Sequence, residues 1–283
     1  MEKLKIVDET FDIFRSESYS LSVQFTENGY RLSVVDSVRN CVIALITAPF
    51  DKPMSVNDDW STVVSTTLFE NDFLSRDFKS IYLSFESPLF TIVPNDYFVP
   101  EKAKQLLDLV HVVPDLYEVR FNIIEKIGAT LVYAIPSSLT SSWMKKHPKT
   151  TFVGHAGPSI AQCSLIKMGK DEPIVFTHFS ERFFINTIAK NNQLHHCNSF
   201  NFFNTNDSSY HLINTCKLLG FEPHNLEIIM NGEIPNSLEF ENVTGRYFKK
   251  FSIDSGSDNH SYSYAIAKHK KTFWNLFNLS LCE

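Results

Sequence analysis

The 283-residue sequence predicts an α/β protein made of two similar halves that face each other across a cleft. Two observations carry this. The element order strand, strand, strand, helix, strand is read at residues 19–85 and again at 173–230. Two layers of one topology, packed face to face, leave a crevice between them. The composition agrees with such a body. At 43% hydrophobic and 20% charged residues it is that of an ordinary globular chain, long enough for one large domain or two of usual size.

In the first half, Leu21, Val23 and Phe25 alternate through a strand at 19–25. Glu27-Asn28-Gly29 is a turn whose Asn-Gly pair suits positive φ, and 30–35 returns as a second strand. Cys41–Thr47 is apolar on both faces, which predicts a central strand. A helix is expected from Ser55, capped by Ser or Asn and carrying acids in its first turn, to about Phe73, followed by strands at 79–85 and 89–93. Between the halves come a short helix from Pro100, strands at 117–126 and 129–135 around Gly128, a helix at 136–146, a strand at 150–153 and a helix at 158–168 closed by Gly169. The second half has strands at 173–179, 182–188 and 194–200, a helix at 205–219 ended by Gly220, and a strand at 226–230. The stretch 264–281 reads as a closing helix packed on the second sheet, or as a helix offered to a partner.

Composition excludes several function classes. The net charge is −6, and the basic residues are scattered, with short runs only at Lys145-Lys146-His147 and Lys249-Lys250. A nucleic-acid binder gathers such residues into a stripe, so none is expected as partner. Nine glycines against 25 phenylalanines favour strands over phosphate-cradling loops. The five cysteines form no CxxC pair, and the acidic N-terminus lacks the apolar stretch of a signal peptide. No segment approaches a membrane span. The expectation is a cytoplasmic protein without disulfides.

The paired order resembles that of the actin-like ATPase (ribonuclease H-like) fold. The segment between the halves sharpens the likeness. Its short helix at 101–110, its two long strands, the run Leu131-Val-Tyr-Ala-Ile-Pro136 and the Ser-capped helix after it are similar to the inserted subdomain of the pilus-assembly (PilM-type) branch. The whole chain also resembles an uncharacterised Bacteroidetes family of unknown function with an actin-like fold. The likeness implies a duplicated fold of two domains, at 1–170 and 171–283, with a central cleft and an inserted subdomain at about 86–152.

Members of that superfamily hold ATP between two hairpins that carry Asp-x-Gly turns. The acids organise Mg²⁺, and backbone N–H groups cradle phosphate. Here the first hairpin offers Gln24, Thr26, Glu27 and Asn28, and the second offers His178, Phe179 and Ser180. Imidazole is a poor substitute for an oxygen ligand of Mg²⁺, and Phe179 is expected to fill phosphate space. After the strand at 226–230, Asn231-Gly232 is either an adenosine motif with one glycine where two are usual, or a plain turn. The candidate nucleotide-site residues are therefore Thr26, Asn28, His178, Ser180, Asn231 and Gly232. His195, His196, Cys197, His211 and Cys216 have zinc-ligand chemistry but do not converge. Ser255, Asp258 and His260 have triad composition without a nucleophile elbow.

The resemblance therefore implies an actin-fold scaffold that has lost catalysis. It would use no cofactor and would grip a protein partner, such as a short peptide or a membrane-complex component, or self-associate. The alternatives are an ATPase or kinase that binds ATP through unorthodox ligands, and a regulator whose cleft takes another metabolite.

Overall fold

The computed structural model describes residues 2–165, 173–253 and 259–282. The chain opens with β1 (Leu4–Val7) and the meander β2 (Tyr19–Thr26), β3 (Gly29–Asp36) and β4 (Cys41–Pro49). Helix α1 (Ser61–Glu70) leads to β5 (Ser80–Phe85). Then follow β6 (Phe90–Pro94), α2 (Ala103–Asp108), β7 (Tyr117–Ile124), β8 (Ala129–Pro136), α3 (Ser137–Lys146), β9 (Thr151–Gly154) and α4 (Gly157–Ala161). A second meander, β10 (Ile174–Phe179), β11 (Phe183–Lys190) and β12 (Gln193–Asn201), leads through α5 (Thr205–Leu218) to β13 (Glu227–Gly232). The chain ends with α6 (Ser237–Val243), β14 (Lys250–Ile253), β15 (Ser261–Tyr262), α7 (Tyr264–Ala267) and α8 (Trp274–Phe277).

These strands form three sheets. The largest runs β1-β4-β3-β2-β5-β9, with β15 beside β4; the second runs β12-β11-β10-β13-β14; the third is β6-β8-β7. Five strands of the first sheet, β4-β3-β2-β5-β9, match the whole second sheet in order and direction. β2 is antiparallel to β3 and parallel to β5. β10 is likewise antiparallel to β11 and parallel to β13. The carboxyl ends of β2 and β5, and of β10 and β13, therefore open the same way, which is where open α/β sheets place ligands.

Aromatic residues anchor the first half. The Trp60 ring meets Phe85 edge-on at 5.1 Å and Phe25 at 6.2 Å, and Phe25 meets Trp143 at 6.1 Å. Each such pair contributes ~0.5–1.5 kcal/mol beyond the area it buries. The third sheet is tied to the edge of the first by Asn122. Its Nδ2 donates to the Phe152 carbonyl at 2.8 Å, and its Oδ1 accepts from Gly154 N at 2.9 Å. A strand edge without a neighbour is thus met by a side-chain amide that copies the pairing of a backbone.

Several local expectations change. Neither Asn28 nor Gly29 has positive φ. Thr26 holds that turn instead, its Oγ1 accepting from Asn28 N at 3.1 Å and donating to the Gly29 carbonyl at 3.3 Å. Helix α1 begins at Ser61, because Asp58 folds back on Ser55 N at 2.7 Å and Asp59 takes the Ser61 N–H at 2.9 Å. The C-terminal stretch is two short helices and packs on the first sheet. β15 returns the chain to β4, so Ile266, Phe273, Leu276 and Phe277 cover Val35, Val42, Leu45 and Tyr82. Met168, Gly169, the domain boundary at 170/171, and Ser255 and Asp258 lie outside the described residues.

Candidate functional site

Two hairpin turns, Thr26–Gly29 between β2 and β3 and Phe179–Phe183 between β10 and β11, face each other. Asn28 Nδ2 donates to Glu181 Oε2, and Arg182 Nη1 lies 3.5 Å from Glu27 Oε2. These contacts join the hairpin tips. Beside them is a cavity of about 170 Å³, whose walls include Thr26, Asn28, Glu86, Glu181 and Phe183.

Beneath the tips lies a buried guanidinium. Arg31 stands opposite Gln24 in the β2/β3 ladder, and its side chain is 5% exposed. Its Nη2 donates to Glu233 Oε1 at 2.7 Å, and its Nη1 donates to Glu86 Oε2 and Gln24 Oε1, both at 3.2 Å. Glu86 follows β5 and Glu233 follows β13, so one cation collects a carboxylate from each parallel strand end. Burial alone would lower the Arg31 pKa, but Glu86 and Glu233 outweigh it and hold the group charged. Burial, with Glu233 and Glu181 acting the same way, outweighs Arg31 and the Ser180 hydroxyl and leaves the Glu86 carboxyl raised to about 7.

From Gln24 a chain of buried hydrogen bonds runs on to the second sheet's hairpin. Gln24 Nε2 donates to His155 Nδ1 at 3.1 Å, and Asn275 Nδ2 donates to the same nitrogen at 2.8 Å. Two amide donors fix Nδ1 as the acceptor, so the proton sits on Nε2, which donates to Ser180 Oγ at 3.1 Å. Glu86, whose pKa the Ser180 hydroxyl lowers, accepts from Arg31 on the other side. Burial holds His155 neutral, its pKa well below the ordinary imidazole value.

The six residues read from the sequence divide into four groups. Thr26 and Asn28 line the cavity, with Thr26 spent on its own turn. Ser180 ends the buried hydrogen-bond chain, at His155 Nε2. His178 and Asn231 form a buried pair, Nδ1 donating to Oδ1 at 2.6 Å, and burial lowers the His178 pKa to about 4. Gly232 has φ 88°, and a Cβ there would lie 2.1 Å from the Phe179 carbonyl oxygen. Its N–H donates to the Lys271 carbonyl at 3.0 Å, while Glu233 N donates to Phe179 O at 2.8 Å. This glycine serves a close backbone crossing.

Phe179 is buried in the core of the second sheet. Strand alternation turns His178 toward the first half and Phe179 the other way, into a cluster with Phe184, Phe202 and Phe240 at ring distances of 5.2, 5.5 and 5.0 Å. His211 stacks on Phe200 at 5.0 Å, and His196 stacks on the same ring at 6.2 Å. Sequence reasoning missed Arg31, Glu86, His155, Glu181, Glu233 and Asn275. A signal was available for two of them. Arg31 interrupts an apolar strand opposite Gln24, and Glu86 directly follows one.

The model of the protein family of unknown function DUF3822 matches residues 8–251. The chain belongs to that family. No curated protein matches it. Among solved structures it is similar to a protein of actin-like ATPase fold and unknown function from Bacteroides thetaiotaomicron. The TM-score is 0.77 at 20% identity, over 88% of this chain and 96% of that one. It is also similar to the PilM–PilN type IV pilus biogenesis complex, with TM-score 0.55 at 9% identity over 93% and 97%. This DUF3822 protein thus has the α/β actin-like ATPase fold, and no helix among its described residues is long and apolar enough to cross a membrane.

Proposed function

We propose that this DUF3822 protein is an actin-fold scaffold without ATP turnover, which binds a protein partner. The observation that carries this reading is Arg31 bound to both Glu86 and Glu233. Carboxylates do reach the cleft, from the strand ends and not from the hairpin positions held by Gln24 and His178. A built-in cation already neutralises them where a divalent metal would otherwise be needed. The residues present do not fit a magnesium nucleotide. The cavity of about 170 Å³ is below the ~300–1,000 Å³ of small-molecule sites, its mouth carries acids, and the Gly232 N–H is already taken.

The matching strand order of the two larger sheets supports two domains of common ancestry, divided near residue 170. The third sheet supports an inserted subdomain at about 86–152. Its exposed Tyr97, Leu109, Val112 and Phe121 make it the first surface to examine for a partner or for self-association. The PilM–PilN neighbour is itself a complex, which favours protein binding over catalysis here. We place the protein in the cytoplasm, on its unpaired cysteines.

The test is thermal unfolding with and without millimolar Mg-ATP, together with a phosphate-release assay. A ligand at a hundred times its Kd stabilises by about 2.7 kcal/mol, a readable rise in Tm. The expected result is no rise and no release. A clear rise, or turnover abolished by a cleft substitution, would overturn the reading in favour of an ATPase or kinase.

A further inference from the structure

The register of the second sheet lays a short polar row across its apolar core. Thr177 of β10 stands opposite Asn186 of β11, which in turn stands opposite Asn198 of β12. The rows on either side are bulky: Phe179, Phe184 and Phe200 toward the hairpin tip, and Val175, Ile188 and His196 away from it. By strand alternation all three rows share one face, and Leu212 and Cys216 of α5 pack on it. Thr177 is 1% exposed and Asn186 is fully buried.

Thr177 Oγ1 and both polar atoms of the Asn186 amide find no hydrogen-bond partner among the described residues. A buried carboxamide gives up its hydration on folding, and native cores rarely leave it with nothing in return. Because Thr177 and Asn186 are cross-strand partners, the three orphaned atoms lie at one level of the sheet. Side-chain size leaves a trough at that level. Threonine and asparagine are shorter than the phenylalanines of the next row. The buried side of α5 also carries small residues, Ser208 and Ser209, whose hydroxyls donate to their own helix at the Thr205 carbonyl. The orphaned atoms are neutral and offer both donors and acceptors. That set suits water and gives an ion no counter-charge.

We propose that the core of the second sheet is a binding site for one or two internal waters, held between Thr177 and Asn186. Water accepts from the amide nitrogen of Asn186 and satisfies its oxygen, and it bridges to the Thr177 hydroxyl across the strand pair. The site lies on the face that Phe179 shares, turned from the first half, so it is independent of the scaffold reading.

The experiment records water-selective NOE and ROE spectra of the ¹⁵N-labelled full chain at the Asn186 side-chain amide. That resonance is assigned by its loss in Asn186→Leu, or in Asn186→Ser if the first variant does not fold. The expected result is a cross-peak between the amide protons and water, with the sign of a long-lived contact. The Thr177 hydroxyl could relay such a peak by proton exchange, so the spectrum is repeated in the isosteric Thr177→Val, with Thr177→Ala in reserve. Persistence of the cross-peak supports bound water. Its disappearance in that variant would assign the contact to a direct threonine–amide bond and overturn the proposal. So would a visible amide resonance with no water cross-peak in wild type. A crystal structure gives a second readout: density for a water within hydrogen-bond distance of both side chains is expected, and the two side chains bonded directly to each other would count against it.

Discussion

Arg31 and Glu233 stand 202 positions apart in the chain and meet at 2.7 Å. The arginine comes from the meander of the first sheet and the glutamate from just past β13 of the second. Their contact, shared with Glu86, is a charged joint between the halves.

Removing the cation should be costly. Arg31→Met leaves Glu86 buried beside Glu233 with no counter-charge, and a loss of about 3–5 kcal/mol is expected in urea unfolding. Arg31→Lys keeps the charge but not the forked geometry, so it should recover only part of the loss. Equal stability of Arg31→Met and wild type would show that the joint contributes nothing.

Stability should depend on pH through Glu86. Its pKa rises from an ordinary 4.5 to about 7 in the folded state, so folding takes up a proton. The stabilisation from that proton is fully present below about pH 4.5 and is lost as the pH rises through about 7. His178 acts in the opposite sense. Its pKa falls from 6.5 to about 4, so its contribution is present above about pH 6.5 and lost as the pH falls through about 4. The difference between wild type and Glu86→Gln isolates the first effect. Melting temperatures from pH 4 to 8 should give a wild-type-minus-variant difference that falls as the pH rises from about 4.5 through about 7.

Two glycines with positive φ should respond unequally to alanine. Gly220 has φ 76°, and an added methyl group would meet nothing within 4 Å, so Gly220→Ala should cost about 1 kcal/mol of backbone strain. Gly232→Ala meets the Phe179 carbonyl at 2.1 Å in addition and should cost well beyond the ~1–3 kcal/mol of strain alone. Denaturation of the two variants side by side checks the order.

The tip contacts should matter little for stability. Arg182 and Glu27 are largely exposed, and a surface pair of this kind contributes about 0–1 kcal/mol. Arg182→Ala should leave the unfolding midpoint within error. A large loss would mean that the tips carry load now assigned to Arg31.

The sheet meanders are legible in the sequence because alternation at 19–25 and the turn at 27–29 are local signals. The ends of β2 and β10 can be aligned for the same reason, which places Thr26, Asn28 and Ser180 near one another. The charged joint is not legible in the same way. Arg31, Glu86, His155, Glu233 and Asn275 come from five separate elements, and only the packing of the two halves brings them together. Phe179 misleads because a hairpin position fixes the place along a strand, while the face is set by the register of the whole strand. The C-terminal segment misleads because its apolar residues say that it is covered, and not by which sheet.

The return of β15 to β4 has a consequence for synthesis. A sheet whose strands come early in the chain is expected to fold while later segments are still being made. Here Val42, Leu45 and Tyr82 of the first sheet wait for Ile266, Phe273 and Phe277, which leave the ribosome only after the whole second sheet. The first sheet must therefore remain sticky until those residues emerge, and a chain halted before residue 260 would be a substrate for chaperones, not a folded intermediate.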